Sequence, residues 1–282
     1  MRPLREGTIV TVTSISGTPA RRWAGSLAAW AIPPEILAQA PETPWGCPTG
    51  LFARSAEEAV APSAELSPTA RRALEMLPDG GSVLDVGVGG GAASLPLAPP
   101  AAFITGVDQS PAMLEAFAGL AERRGVGHAE VQGTWPEVEN KVEPADVVVC
   151  AHVLYNVSDL EPFVTGLTDK ARRRIVVELT AAHPQAHLNP LWRRFHGLER
   201  PTGPTADDAL KVLGEMGLEA GIERWQAPGR WESAPPEELV TYARRRLCLP
   251  PEREPEVAVA LDELFEPGPR QLVTLWWPGT AG

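Results

Sequence analysis

The sequence predicts an α/β fold, built as a doubly wound and mostly parallel sheet of seven strands. From residue 82 onward, short apolar runs alternate with helical patterns. Such an alternation implies parallel strands joined by right-handed crossovers. The run ADVVVCAHVL at 145–154 is almost continuously apolar, as expected of a central strand that helices cover on both faces. These two observations define the predicted class.

Each of the seven strands is predicted from one apolar run. In chain order the runs are SVLDV (82–86), AFITGVD (102–108), HAEVQG (128–133), ADVVVCAHVL (145–154), RRIVVELT (173–180), LEAGIERWQA (218–227) and RQLVTLWWPG (270–279). Helices are expected at 90–97, 110–125, 158–171 and 205–217. The second helix has the clearest ends, because Ser110-Pro111 is typical of a helix start and Gly125 of a helix stop.

Two segments lie outside this alternation. Residues 1–66 place several tryptophans among short helical pieces broken by prolines, which predicts an N-terminal helical cap, or a lid over a ligand cleft. Residues 231–266 separate the last two strands and carry two helical stretches. This segment is too long for a hairpin loop, so we expect a helical insertion before the last strand. The main domain is then expected to cover 67–282.

Composition and charge narrow the classes of partner. The net charge of −11 disfavours long-range attraction to nucleic acid or to anionic lipid. The sequence has no apolar run long enough to span a bilayer and no pattern of a secretory signal. Its three cysteines are far apart and form neither a disulfide framework nor a zinc signature. We therefore expect a cytoplasmic protein that does not bind membranes, and nucleic acid is an unfavourable partner.

A glycine-rich turn follows the first strand, in the sequence VLDVGVGGGAAS. A phosphate loop of the Walker type needs Lys and then Ser or Thr after its last glycine, whereas Ala92 and Ala93 follow here. A dinucleotide fingerprint is matched by Gly87, Gly89 and Ala92, so a nicotinamide cofactor stays open. Asp85 favours a third interpretation. A carboxylate is unfavourable beside a pyrophosphate but favourable beside a ligand that carries an ammonium and a sulfonium.

The spacing Asp85-x-Gly87-x-Gly89-x-Gly91 resembles the first motif of the class I S-adenosylmethionine-dependent methyltransferases. The resemblance implies a Rossmann-like methyltransferase fold with S-adenosylmethionine as the cofactor. It also implies that the loop, including Val88, lies against the methionine and ribose portions of that cofactor. Asp85 is expected to act at the aminoacyl end.

The ends of the next two strands extend the resemblance. Asp108 ends the second strand, where a carboxylate can accept both ribose hydroxyls, and Gln109 follows it. The third strand ends at Gly133, where the family usually has an acidic residue next in the chain to bind the adenine amino group. This sequence has Thr134 instead. Trp135 could then stack on the adenine, or peptide groups around Gly133 could bind it, although simple packing explains the tryptophan equally well.

The end of the fourth strand is expected to face the reacting atoms. Ala151 is assigned to the cofactor, and His152 and Tyr155 are the candidate catalytic residues, with His152 as general base. Further candidates for this role are Glu178, His183, His187 and His196. No metal site is expected, because Pro184 separates His183 from His187 and no third ligand is evident.

These features predict an S-adenosylmethionine-dependent methyltransferase that acts on a small-molecule acceptor by in-line displacement. The protein mainly has to align the acceptor with the donor and exclude water. Two alternatives stay open, an NAD(P)-dependent oxidoreductase on a similar fold and a non-catalytic member that only binds the cofactor or serves as a scaffold. The sequence identifies neither the acceptor atom nor the oligomeric state, and a homo-oligomer stays open.

Overall fold

A computed structural model of the chain describes residues 17–45, 49–61, 65–229, 235–265 and 268–281. Seven strands form one sheet in the order β3-β2-β1-β4-β5-β7-β6. The strands are β1 (Ser82–Val86), β2 (Phe103–Asp108), β3 (Gly127–Gln132), β4 (Ala145–Ala151), β5 (Ala171–Thr180), β6 (Gly221–Ala227) and β7 (Arg270–Pro278). The pairs among β1 to β5 are parallel, while β7 is antiparallel to both β5 and β6. The predicted fold class is confirmed.

Ten α-helices lie in the part of the chain that is described. They are α1 (Pro19–Ala28), α2 (Pro34–Leu37), α3 (Thr49–Ala59), α4 (Pro68–Leu74), α5 (Pro111–Arg124), α6 (Leu160–Asp169), α7 (Asn189–His196), α8 (Ala206–Glu215), α9 (Pro236–Arg246) and α10 (Glu254–Leu264). Helices α9 and α10 are the insertion expected before the last strand. Helix α7 was not predicted, although its proline near the start and Gly197 at its end are ordinary helix boundaries.

Segment 90–97 and the end of β4 differ from the prediction. The helix expected at 90–97 is wrong, because the chain there makes turns and only one short 3₁₀ helix, Leu95–Leu97. The adjacent glycines favour turns, and Pro96 has no N–H to donate to a helical hydrogen bond. Strand β4 ends at Ala151 and not at residue 154, since His152 has a φ of 60°, which no strand residue adopts.

Helices cover the sheet on both faces, and two apolar clusters fill the layers. One contains Leu84 and Val86 of β1 together with residues of α6 and α8. The other contains Val83 of β1 with residues of α4 and α5. This division follows from the alternation of side chains along a strand. A third cluster lies away from the sheet and joins α7, α9 and α10.

The described part of the N-terminal segment contributes to all three clusters. Trp23 of α1 packs in the first, Ala56 of α3 in the second and Ile32 in the third. The indole N–H of Trp23 donates to the carbonyl of Val157 at 2.8 Å. These helices are therefore packed onto the main domain through buried side chains, and a domain boundary near residue 66 stays a prediction.

Candidate active site

A cavity of about 1680 Å³ lies at the carboxyl ends of the parallel strands β1 to β5, where open α/β sheets bind their ligands. Its wall includes Gly87, Val88, Gly89, Asp108, Gln109, Gly133, Thr134, Trp135, Ala151, His152 and Tyr155. The structure thus brings together residues from four loops that are far apart in the sequence. Of the residues predicted for the site, Asp85, Gly91 and the further candidate His196 lie outside this wall.

Asp108 connects the glycine loop to the start of α5. One carboxylate oxygen accepts the N–H of Gly89 at 3.0 Å, and the other accepts the N–H of Ser110 at 2.9 Å. These two hydrogen bonds fix the carboxylate at the cavity wall. Each oxygen keeps a further lone pair, so the group can still accept hydrogen bonds from a diol. This arrangement fits the ribose of an adenosyl cofactor.

The glycines of the loop are required by the protein as well as by a ligand. Gly87 has a φ of 78°, and a Cβ atom there would lie 2.3 Å from Cγ2 of Val153. Gly91 has a φ of 89°, and its Cβ would lie 2.5 Å from Cδ1 of Leu95. A side chain at Gly91 would therefore disturb the layer below the loop and not the cavity.

Asp85 does not reach the cavity, contrary to the expected direct contact with an aminoacyl group. It is buried beneath the loop on the same face of β1 as Val83, and neither of its oxygens has a hydrogen-bond partner among the described residues. Burial raises the pKa of Asp85 to about 7, the hydroxyl of Ser94 partly opposes this rise, and the charge of Asp108 adds to it. Alternation along the strand explains the placement.

The loop after β3 forms the wall where an adenine is expected. Thr134 and Gly133 lie at the surface of the cavity, and Trp135 lies behind them with only 6% of its surface exposed. The indole N–H of Trp135 donates to the carbonyl of Phe163 at 3.2 Å. The tryptophan therefore serves in the packing of the core, while part of it also contributes to the wall.

His152 is paired with a buried carboxylate. Its Nε2 lies 3.1 Å from Oε1 of Glu178, which is brought there because Ala151 of β4 is in register with Glu178 of β5. Burial by itself would raise the pKa of Glu178, but the hydrogen bond and the charge of His152, together with the hydroxyl of Thr69, bring it below its ordinary value. The positive φ of His152 is uncommon for a residue with a side chain and often marks a functional site.

Glu178 is held by a chain of hydrogen bonds that the sequence analysis missed. Thr69 donates to Oε2 of Glu178 at 2.5 Å, and its hydroxyl oxygen lies 2.7 Å from that of Thr274. The indole N–H of Trp225 donates to Thr274 at 3.0 Å. A polar residue within the apolar run LVTLWW was the available signal, since buried polar groups require partners.

Tyr155 lies at the cavity wall, but its hydroxyl group is not available for proton transfer. Its hydroxyl donates to the carbonyl of Thr180 at 2.7 Å, and burial raises its pKa well above the usual value. The ring is largely buried and stacks on Trp23 with 5.5 Å between the centroids. A catalytic role for Tyr155 does not fit this arrangement, which makes the residue part of the wall.

Aromatic rings contribute to the cavity wall near His183. Trp30 of the N-terminal segment stacks on His183 with ring centroids 3.8 Å apart, and His183 meets the edge of Tyr155 at 5.3 Å. Burial, with a smaller contribution from the charge of Arg200, lowers the pKa of His183 to about 4. His183 is therefore neutral at pH 7, and its Nδ1 accepts the N–H of Gln185 at 3.2 Å.

The other candidate histidines are placed differently. His187 lies at the cavity wall, and its Nδ1 is 2.7 Å from the carbonyl oxygen of Pro184. His196 lies outside the cavity, and its Nε2 is 2.7 Å from the carbonyl oxygen of Leu247.

Among the described residues, no group of three or more His, Cys, Asp or Glu side chains is arranged to hold a metal ion. No helix within the described ranges is both long and apolar enough to cross a membrane.

The chain matches known proteins chiefly through the strands that carry the cavity. Residues 83–172 match the protein family described as "Methyltransferase domain". An uncharacterized protein of Haemophilus influenzae is 25% identical over 70% of this chain and 75% of its own length. The ubiquinone biosynthesis O-methyltransferase of Rickettsia prowazekii is 33% identical over 30% of this chain. This match spans only 33% of the Rickettsia enzyme.

Solved structures show the same fold. The YcgJ protein from Bacillus subtilis superimposes with a TM-score of 0.52 at 17% identity, covering 76% of this chain and 99% of that protein. A structure concerned with the conversion of a disulfide bond into a thioacetal group during echinomycin biosynthesis gives a TM-score of 0.50 at 17% identity, with 75% and 81% covered. The family match agrees with the methyltransferase interpretation of the glycine loop and not with the nicotinamide alternative.

Proposed function

The chain is a class I S-adenosylmethionine-dependent methyltransferase, and on this premise we propose that it methylates an oxygen or nitrogen atom of a small molecule, with His152 as the general base. S-adenosylmethionine, its cofactor, supplies an activated electrophilic methyl group. The chain must therefore align the acceptor, exclude water and remove a proton. The observation that carries the proposal is the His152–Glu178 pair at the wall of the cavity that also contains the glycine loop.

The pair is suited to accept a proton from a bound acceptor. Glu178 lies within hydrogen-bond distance of one nitrogen of the imidazole and holds the ring in one orientation. When His152 takes a proton, the buried carboxylate stabilises the positive charge that forms. Thr69 binds the other oxygen of Glu178, so the carboxylate does not turn away from the histidine.

Asp108 and the glycine loop supply the binding site for the cofactor in this proposal. The carboxylate is fixed by two backbone N–H groups and accepts the ribose hydroxyls. The loop around Gly89 offers a bare backbone beside it. The adenine then lies against Thr134 and the backbone at Gly133, without the acidic residue that is usual in the family.

The size of the cavity supports a small-molecule acceptor. Pockets for small ligands usually measure about 300–1,000 Å³, and this cavity of about 1680 Å³ leaves room for a second ligand beside the cofactor. The net charge of −11 disfavours a nucleic acid as substrate.

We also propose a cytoplasmic location. The buried free thiols of Cys150 and Cys248 support it, because the cytoplasm is reducing and keeps cysteines as thiols.

Two variants separate binding from proton transfer. Asp108→Asn is expected to weaken S-adenosylhomocysteine binding by about tenfold to a hundredfold, because it loses charge-assisted hydrogen bonds. His152→Gln is expected to keep that affinity and to lower methyl transfer by about 10²–10⁴-fold. Binding is measured by calorimetry, and transfer by mass spectrometry with S-adenosylmethionine and a panel of phenols and amines.

Asp79→Asn is the matched control for the first variant, because Asp79 is exposed and loses the same charge. Unchanged affinity in Asp108→Asn would contradict the ribose assignment. Full transfer activity in His152→Gln would contradict the general base, while the family assignment would stand.

A further inference from the structure

The cavity wall includes a cation, Arg246, that forms no ion pair with any described residue. Arg246 lies at the last position of α9 and contributes to the wall. Its Nε atom is buried and has no hydrogen-bond partner, and no described residue forms an ion pair with the guanidinium. The Arg246 side chain is partly buried, and a ligand that supplies an anion at this part of the wall would form a charge-assisted pair with it.

The two arginines that precede Arg246 in α9 are paired with carboxylates. Arg244 forms ion pairs with Glu42 at 2.7 Å and Glu254 at 3.1 Å, and Arg245 pairs with Glu42 at 3.0 Å. All three residues share one helix turn in a chain of net charge −11. Structural arginines in this region are therefore paired with carboxylates. Arg246 differs because it faces the cavity.

Other cations at the wall are already engaged. Arg200 resembles Arg246 in that its Nε has no hydrogen-bond partner among the described residues, but its two terminal nitrogens donate to the backbone carbonyls of Ala31 and Trp30. Arg270 donates to the carbonyl of Pro228 at 3.0 Å, and its charge helps to lower the pKa of Glu178. His183 adds no charge at pH 7, since its pKa is about 4. An anionic ligand group would thus be recognised by Arg246.

The surroundings of Arg246 are aromatic and hold it in place. Its guanidinium lies 5.2 Å from the ring centroid of Tyr242, whose hydroxyl accepts a hydrogen bond from the side chain of Gln185 at 3.1 Å. Gln185 in turn lies beside His183, and the Trp30–His183 stack continues this wall toward Tyr155. Between the cation and the proposed base, the cavity wall therefore contains the aromatic rings of Tyr242, Trp30 and Tyr155 together with His183 and Gln185.

We propose that the methyl acceptor is a planar aromatic molecule that carries a carboxylate, and that Arg246 binds this carboxylate while the hydroxyl or amine to be methylated faces His152. This inference rests on the proposed function, because it assigns the acceptor of the same site. A bidentate arginine–carboxylate pair fixes orientation as well as affinity, so Arg246 is a residue that determines specificity.

The experiment compares two probes of the same shape, 6-hydroxy-2-naphthoate and 6-hydroxy-2-naphthamide, in the presence of S-adenosylhomocysteine. The wild-type chain is expected to bind the carboxylate at least about tenfold more tightly, as charge-assisted hydrogen bonds do. Arg246→Gln should abolish this preference, and Arg246→Lys should keep part of it. Arg245→Gln is the matched control, because it removes a cation of the same helix outside the cavity and should keep the preference.

Equal affinity for the two probes, no binding of either probe, or an unchanged preference in Arg246→Gln would overturn the inference. The comparison in the wild-type chain needs no variant, so it decides the question even if a substitution prevents folding. Failure of the proposed function has a different signature. In that case the preference for the carboxylate persists, but neither S-adenosylhomocysteine binding nor methyl transfer responds to changes at Asp108 and His152.

Discussion

Asp85 is a buried acid whose ionisation the fold opposes. Its oxygens lack hydrogen-bond partners among the described residues, and burial raises its pKa from 3.8 to about 7. Between these two values, the folded chain holds a proton on Asp85 that the unfolded chain has released. Stability therefore falls as the pH rises through this window and stays at the lower level above pH 7.

Asp85→Asn should remove this dependence. Relative to the wild type, the free energy of unfolding of the variant is expected to rise by roughly 4 kcal/mol between pH 4 and pH 8, since each pKa unit corresponds to about 1.4 kcal/mol. Urea denaturation at several pH values measures it. Asp79→Asn, which changes an exposed carboxyl, serves as the control. Parallel pH curves for wild type and Asp85→Asn would show that the buried acid has an ordinary pKa.

At the residue scale, the sequence indicates which strand ends carry chemistry but not every contact. The position of Asp108 at the end of a strand follows from the alternating pattern, and the structure places it at the cavity. The hydrogen bonds of Thr69 with Glu178 and with Thr274 depend on the register of β5 with β7 and on the docking of α4. Those arrangements join residues far apart in the chain, so local patterns do not contain them.

At the element scale, an ion-pair group fastens the N-terminal segment to α9. Glu42 binds Arg244, whose side chain is only 5% exposed, and it also binds Arg245. Arg54 of α3 adds a second connection, because it pairs with Glu238 of α9 at 2.5 Å. Removing Glu42 leaves a buried guanidinium with one carboxylate, Glu254, instead of two.

Glu42→Gln is expected to lower the free energy of unfolding by about 1–2 kcal/mol, since a buried cation loses one of its partners. Glu199→Gln is the control, because Glu199 pairs with Arg193 where both side chains are well exposed. Such surface pairs contribute little to stability, because solvent screens them. Thermal and urea denaturation of both variants provide the measurement. Equal losses in the two variants would mean that burial of Arg244 adds nothing to its pairing with Glu42.

The helices differ in how far local sequence determines them. Helix α5 was predicted nearly to the residue, because its proline at the start and Gly125 at the end act locally. Helix α8 begins with a capping box between Thr205 and Asp208, which is also a local signal. The segment 90–97 has small and apolar residues that suggested a helix. There the adjacent glycines and Pro96 favour turns instead, and only the short 3₁₀ helix Leu95–Leu97 forms.

At the scale of the whole molecule, the described part of the first 66 residues and the sheet domain share one cavity. Trp30 contributes to its wall, and its indole N–H donates to the carbonyl of Gly203 at 2.6 Å. We propose that this segment acts as a cap that closes over bound ligands. The proposal concerns the whole segment, of which residues 1–16, 46–48 and 62–64 lie outside the described residues.

Limited proteolysis tests the cap. Cleavage within the first 66 residues should slow by about 10⁴-fold when S-adenosylhomocysteine and 6-hydroxy-2-naphthoate are each present at 100 times their Kd, provided that the open form binds neither and that the two bind independently. Addition of S-adenosylhomocysteine alone is the control and should give less protection. Cleavage at the same rate with and without both ligands would contradict a closing cap.

The stack of Trp30 on His183 has a consequence for protein engineering. A ring from the beginning of the chain and a ring from beyond β5 together make one surface, so neither part would form the proposed acceptor site alone. A chimaera that exchanges only the first 66 residues with those of a relative would lose half of that surface. New substrates would have to be sought by exchanging both parts together.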